Sequence, residues 1–345
     1  MTPFRPAAPV TRARFLRAIA VGAVVAIAAI VVGLLLGAER VDVGAVVAGG
    51  GTDVERDIFL RLRLPRVLTG ALVGGALALG GTTFQLLLRN PLADPYLLGI
   101  SGGGAFGAVI AIVTLGTATG PFLATRSVAA LVGCLAALGL VYLLAARAGP
   151  LRPATLLLAG VVVNAFFLAG LACVQYAAAP TESQAILRWV MGGLETGGSA
   201  EVAVLAVVVP LAFLLLLRDA SPLHALAFGE ETARHLGIDV ERVRRRTLLT
   251  AAALTAACVA VAGPIGFVGL VVPHAARLVV GSDPRLLFPA ALLAGAAFLP
   301  LADAAARTLL APRELPVGIV TAVVGAPAFA LLLVRRGAGT EAARG

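Results

Sequence analysis

Lysine is absent: all 27 basic residues are arginine, set against 18 acidic ones for a net charge of +9. Without lysine no GxxxxGK[ST] loop can exist, which removes that way of cradling nucleotide phosphates. Cysteine is nearly absent. Cys134, Cys173 and Cys258 lie in apolar stretches, are odd in number and lack CxxC spacing; this excludes a disulfide framework and makes them core filler. His224, His235 and His274 are scattered and follow no metal-ligand spacing. HExxH and GxSxG do not occur, and the paired carboxylates Glu230 and Glu231 sit in a charged loop, giving acid–base catalysis no support. Charged residues are only 13% of the chain, about half the usual quarter. A water-facing surface cannot be built from so few, and disorder needs low hydrophobicity and high net charge. An enzyme, a soluble domain and a disordered chain are all disfavoured.

What is there is apolar. Hydrophobic residues make up 60% of the chain, and the mean hydropathy is +1.00. Ala18–Gly37 is apolar throughout, unlike barrel strands, which alternate. At roughly 20 residues per span, the chain has room for about ten. The spans are expected at 18–37, 67–88, 98–117, 123–146, 155–178, 201–217, 247–263, 266–281, 287–310 and 316–334. Arg5, Arg12, Arg14 and Arg17 precede the first. That run is longer than the roughly 7–15-residue core of a cleavable signal, so it reads as an uncleaved span with its N-terminus inside. Eighteen arginines then fall on the cytoplasmic side and nine outside, as the positive-inside rule requires. Both termini are expected to be cytoplasmic. The pI near 11 reflects these loops, and no nucleic acid partner is expected.

Two hydrophilic segments are longer than turns: an external, helix-containing one at 38–66 and a cytoplasmic one at 219–246. No linker divides the chain, so residues 1–345 are expected to form a single transmembrane domain. LLLAGV at 156–161 and ALLAGA at 291–296 are the faint repetition present. Two sets of five spans related by inversion would suit it.

The densest stretch is 63–108. Gly70, Gly74, Gly75, Gly80 and Gly81 offer small faces for close helix packing. Arg89-Asn90-Pro91-Leu92-Ala93-Asp94-Pro95 is a rigid turn, because two prolines restrict themselves and their neighbours. Gln85 and Asn164 are polar within spans and suit helix–helix hydrogen bonding. Trp189 and Tyr96 are expected at membrane interfaces.

NPLADPYLLGISGG at 90–103, RWVMGGL at 188–194, LAFGEETARHLG at 226–237, GPIGFVGLVVPHAARLVVGSDPR at 263–285 and ELPVGIVTAVVGAPAF at 314–329 stand in this order. Together they resemble the permease family of the type II ABC importers for iron-siderophore, haem and cobalamin. The resemblance covers roughly residues 58–335. It implies a ten-helix subunit paired with a second copy around a central pathway, two ATP-binding cassette ATPases below and a substrate-binding protein above. ATP and magnesium would belong to the ATPase, leaving no cofactor in this chain. A ferric siderophore is the expected cargo, with haem or cobalamin the alternatives.

The resemblance also implies residue roles. Leu226, Phe228, Gly229, Glu230, Glu231, Ala233, Leu236 and Gly237 fall in the loop that couples to the ATPase; by composition this loop is amphipathic and suits docking in a groove. Arg63, Arg66 and Arg307 fall where basic residues grip the binding protein. Headgroup anchoring for the first two, or an Asp303–Arg307 pair across one helical turn, would also account for them. Asn90 and Leu92 match a cytoplasmic gate, with residues 152–155 opposite. The rival class, a secondary transporter, needs an ion-coupling residue at the membrane midplane. Asp303 and Arg307 alone lie well inside a span, both towards its outer end. A structural or receptor-like membrane protein would leave the matching phrases without a role.

Overall fold

The computed structural model describes residues 11–37, 39, 41–116, 121–149, 153–194 and 198–341. Fifteen α-helices follow one another among them: α1 (Arg12–Leu35), α2 (Val43–Val47), α3 (Asp53–Asp57), α4 (Leu64–Leu87), α5 (Ile100–Leu115), α6 (Pro121–Arg147), α7 (Pro153–Ala177), α8 (Pro180–Val190), α9 (Ser199–Arg218), α10 (Ala220–Ala227), α11 (Glu230–His235), α12 (Val240–Ala262), α13 (Val268–Val280), α14 (Pro284–Thr308) and α15 (Val317–Glu341). Among the described residues seven helices are long and apolar enough to cross a bilayer, and three shorter apolar ones, at Ile100–Leu115, Val268–Val280 and Val317–Leu331, bring the number to ten. The expected all-α polytopic architecture is thus present.

The bundle is built around α4, of whose 24 residues 19 are buried. Glycine makes this burial possible. A Cβ on Gly74 would overlap the carbonyl oxygen of Gly295 in α14, and one on Gly81 would overlap that of Gly269 in α13. Backbones therefore touch backbones, the packing that small residues permit between membrane helices. The hydroxyls of Thr82 and Thr83 bond the carbonyls of Ala78 and Leu79, both at 2.8 Å, so these two are satisfied within the apolar interior. By contrast α1 buries only Ala26, Ala29 and Gly33, as suits a lipid-facing helix.

The chain approaches α4 through a helical lead. Thr52 and Glu55 form a capping box at the start of α3. The turn Ile58–Arg63 is π-helical, with Leu64 N–H bonding Phe59 C=O. It ends two residues before Pro65, which has no N–H to continue the ordinary ladder.

Two crossing helices are too short. At 1.5 Å per residue, α5 spans about 24 Å and α13 about 20 Å, against about 30 Å of hydrocarbon. In each case irregular backbone precedes the helix. The segment 88–99 folds back along α4 until the Pro95 ring reaches Gly269 and Gly80, and residues 263–267 break the path between α12 and α13. Such backbone survives at depth only when covered by protein, and here each break covers the other. The Tyr96 hydroxyl donates to Ile265 C=O at 3.0 Å and accepts from Ile265 N–H at 2.8 Å. Tyr96 and Trp189, which is 7% exposed, are therefore interior residues rather than membrane-interface anchors. Packing order repeats between the halves: α5 lies on α6 and α7, and α13 lies on α14 and α15.

Gln85 bridges α4 and α13. Its amide donates to Leu270 C=O at 3.2 Å and more weakly to Gly269 C=O at 3.5 Å. Gly269 C=O is the carbonyl that Pro273, lacking an N–H, cannot serve. Arg277 in turn donates to Gln85 Oε1 at 3.2 Å. The expected helix-joining role of Gln85 is realised. Asn164 faces Gly102 of α5, but its Oδ1 finds no hydrogen-bond partner.

Substituting Gly74 or Gly295 by Val should destabilise the purified chain by about 1–3 kcal/mol or more, because the clash is with backbone that cannot rotate away. Gly139 lies on the exposed face of α6 with nothing within 4 Å of a Cβ. Its replacement by Ala should be neutral or stabilise by about 0.4–1 kcal/mol. Thermal unfolding in lipid nanodiscs reads both.

Candidate functional site

The expected site residues gather at the two ends of the bundle. At one end, α10 and α11 form a hairpin. Leu223, Leu226 and Ala233 are buried against the bundle. Phe228 and Leu236, 69% and 67% exposed, stand outward with Glu231 and Gly237. Gly229, at φ 130°, starts α11. Gly237, at φ 77°, ends it, with Ile238 N–H bonding Ala233 C=O and Gly237 N–H bonding Arg234 C=O. That pair of bonds is a Schellman closure, with glycine in the left-handed position it favours.

Basic residues of α12 lock the hairpin. Arg244 pairs with Glu230 at 2.5 Å, and Arg246 pairs with Asp219, whose side chain is 1% exposed. Of the expected cytoplasmic segment 219–246, residues 240–246 belong to α12. Asp239 caps α12 by accepting Arg242 N–H at 3.0 Å, and its first two turns carry Arg242–Arg246 on helix rather than loop. Arg244 next to Glu230 holds that carboxyl below its ordinary range, with Arg89 and Arg234 adding to the effect. A lowered value means the pair's contribution is complete above the ordinary carboxylate pKa and is lost only as pH falls through the lower one.

Beside the hairpin lies the turn after α4. Arg89 takes the left-handed conformation at φ 49°. Asn90 N–H bonds Gln85 C=O and Arg89 N–H bonds Leu86 C=O, the same Schellman closure as at Gly237. A side chain in this conformation costs about 1–2 kcal/mol. The Arg89 guanidinium donates to Leu226 C=O at the end of α10, at 2.6 Å. Asn90 Oδ1 accepts Leu92 N–H at 2.9 Å, and Asp94 accepts Tyr96 N–H at 2.8 Å. Asn90 is half-buried and Leu92 is 40% exposed. Of the opposing 152–155, Arg152 lies outside the described residues, and Pro153–Thr155 begin α7.

At the other end Arg63, Arg66 and Arg307 do come together, but not as free cations. Arg63 donates to Leu34 C=O at 3.1 Å and Glu39 C=O at 2.7 Å. Arg307 donates to Gly33 C=O and Leu36 C=O, both at 2.9 Å. The two guanidiniums therefore close the C-terminal end of α1, whose last carbonyls lack intrahelical donors. Arg66 spans Asp303 at 2.9 Å and Glu314 at 2.6 Å. Arg307 also pairs with Asp303 at 2.9 Å, so the one-turn pairing is formed. Asp303 is fully buried, and Arg63 and Arg307 are 5% and 3% exposed. The three guanidiniums are thus engaged by groups of the chain itself: the end of α1 and the buried Asp303 hold them. Glu314 was not singled out from the sequence, since nothing in its spacing joins it to Arg66, which is 248 positions away.

The comparisons agree with this architecture. The description of the FecCD transport family matches residues 11–335. The chain belongs to the FecCD transport family. It is 44% identical over 285 residues to the hemin transport system permease protein HmuU of Yersinia pestis, covering 81% of this chain and 84% of that one. Identity to the vitamin B12 import system permease protein BtuC of Vibrio cholerae is 40% over 286 residues, covering 82% and 85%. A solved metal-chelate type ABC transporter in an inward-facing conformation superposes with a TM-score of 0.83 at 29% identity, covering 93% of this chain and 99% of that one. The FecCD chain is thus a non-catalytic, multi-pass transmembrane permease of the ABC importer class.

Asp303→Ala should destabilise the chain by about 3–5 kcal/mol, because it leaves two buried guanidiniums short of their countercharge. Arg63→Ala and Arg307→Ala should destabilise it less and loosen α1. Thermal unfolding measures the first effect, and hydrogen exchange across 30–37 measures the second.

Proposed function

We propose that this permease forms half of the translocation pathway of an ATP-driven importer for a metal chelate. A second copy would complete the pathway, two ATP-binding cassette ATPases would seat on the α10–α11 hairpin, and a substrate-binding protein would cover the opposite end. The single observation that carries the reading is the hairpin. It presents exposed Phe228 and Leu236 beside Glu231 while ion pairs to α12 fix its base. A rigid helical projection with an apolar tip suits a groove on a soluble partner. Leu226 and Ala233, buried in the bundle, anchor this element, while Phe228, Glu231, Leu236 and Gly237 provide its contact face. Gly229 and Gly237 set its turns.

Asn90 and Leu92 would form the gate, since their turn stands beside the hairpin at the end of α4. Arg63, Arg66 and Arg307, with Asp303 and Glu314, carry three positive charges against two negative, a remainder of +1. They would shape the docking face for an acidic surface of the binding protein, Arg66 being the one shared between two carboxylates. The cargo chemistries to test are a ferric siderophore, haem and cobalamin. The relatives named for hemin and vitamin B12 favour a metal held in a macrocycle.

Purified alone, the chain should hydrolyse no ATP. Co-reconstituted in proteoliposomes with its ATPase and binding protein, it should accumulate one of the three cargoes in an ATP-dependent way. ATP turnover by the chain alone, or uptake without the ATPase, would overturn the reading. Reversing Glu230 and Glu231 to Arg should abolish uptake, because a cation at position 230 repels Arg244 where the ion pair stood. Unchanged ATPase association and uptake in that variant would remove the hairpin from the coupling path.

A further inference from the structure

We infer that Arg89 is a positioning residue that ties the α10–α11 hairpin to the turn at Asn90–Asp94, delivering displacements of the hairpin to the end of α4. The inference rests on the reading of the hairpin as the ATPase-coupling element.

Two helices in this region end in the same way. After α11 the left-handed position of the Schellman closure is filled by Gly237, and after α4 by Arg89. Glycine meets no steric penalty there, whereas arginine does. The backbone alone therefore gives no reason for a long side chain at 89. The reason lies at its far end, where Nη2 reaches Leu226 C=O at 2.6 Å. This carbonyl belongs to the last turn of α10 and also accepts Gly229 N–H at 3.2 Å, so its two lone pairs serve the hairpin bend and Arg89 together.

The bond joins the part of the hairpin that is buried to the part of α4 that turns. Leu226 is 7% exposed and moves with the hairpin. Arg89 is followed directly by Asn90, whose N–H is held by Gln85 C=O, and Gln85 reaches across to α13. A pull on Leu226 is thus applied at the junction of α4, the Asn90 turn and α13. A non-glycine residue held in a sparsely populated conformation next to moving parts is a recognised mark of a functional constraint.

Three variants in the full chain, assembled with its ATPase and binding protein, separate this role from a structural one. Arg89→Gly relieves the backbone and removes the reach. Arg89→Asn tolerates the left-handed conformation but is too short to reach α10. Arg89→Lys keeps a donor on a long stem. The Gly and Asn variants should assemble with the ATPase, melt no lower than the parent chain and still hydrolyse ATP, yet lose about tenfold or more in cargo moved per ATP. The Lys variant should retain most of it. A merely structural role makes Arg89→Gly neutral or stabilising with transport intact, and that result would overturn the inference. So would a Lys variant as poor as Gly, or loss of ATPase assembly or of thermal stability in the Gly and Asn variants. The Glu230→Arg, Glu231→Arg double variant, run in parallel, keeps the two readings apart. If it transports normally the hairpin assignment fails; if it is dead while Arg89→Gly is normal, the Arg89 tie alone fails.

Discussion

Backbone polar groups that enter hydrocarbon have to be satisfied by protein, and the architecture depends on how this chain meets that constraint at its two broken crossings. Segment 88–99 and residues 263–267 both leave helical geometry inside the bundle. Each exposes main-chain groups that an isolated helix would have paired. Tyr96 answers both needs at Ile265 with one hydroxyl, and Gln85 serves Leu270 C=O and, more weakly, the Gly269 C=O that Pro273 cannot serve. Neither contact could form unless α4 were enclosed, and α4 is enclosed because its glycines let α13 and α14 lie against its backbone. The small residues, the proline breaks and the two polar side chains form one solution to one problem.

Charge follows the same logic at the ends. The three acidic groups most deeply placed, Asp219, Asp283 and Asp303, each have an arginine within 3 Å. Each also sits where a helix starts or finishes against its neighbours. Such pairs are weak evidence for stability, because desolvation offsets much of the attraction. Their effect is on register. Asp303 fixes α4 against α14 through Arg66, Asp219 fixes the α9–α10 junction against α12, and Arg63 with Arg307 fixes the end of α1. The arginine excess thus includes side chains bonded into the fold as well as loop charges.

Much of this was legible in the sequence. Hydropathy placed ten apolar segments that coincide with helices, with ends that differ by up to seven residues, and the five matching phrases placed the hairpin and the turn after α4. Several features were not legible, for identifiable reasons. The short helix α8 carries no long apolar run, and only Pro180 at its first position and Glu182, accepting Ala179 N–H, announce it. The start of α12 was read as loop because arginine hides a helix from hydropathy, although Asp239 is a recognisable cap. Tyr96 and Trp189 were placed at an interface because amphipathic aromatics favour one, yet the Tyr96 partner is 169 positions away and no local pattern reveals it. The internal partners of Arg66 are more remote still, 237 and 248 positions away.

The glycine contacts also limit which motions the permease can make. Backbone-to-backbone contact fixes α4 to α13 and α14, and the same kind of contact at Gly103 and Gly133 fixes α5 to α6. Helices locked in this way cannot slide or rotate singly without driving a Cα into a carbonyl oxygen. Two blocks result, one of α4, α13 and α14 and another of α5 and α6, with α7 packed on the second. Between them lies a contact of a softer kind, the Tyr96 hydroxyl bonded to Ile265. Hydrogen bonds can lengthen or exchange where interlocked backbones cannot. A rocking of blocks would have to pass through this seam, and the turn after α4, attached to the first block through Gln85 and to the second through Gly99, lies across it.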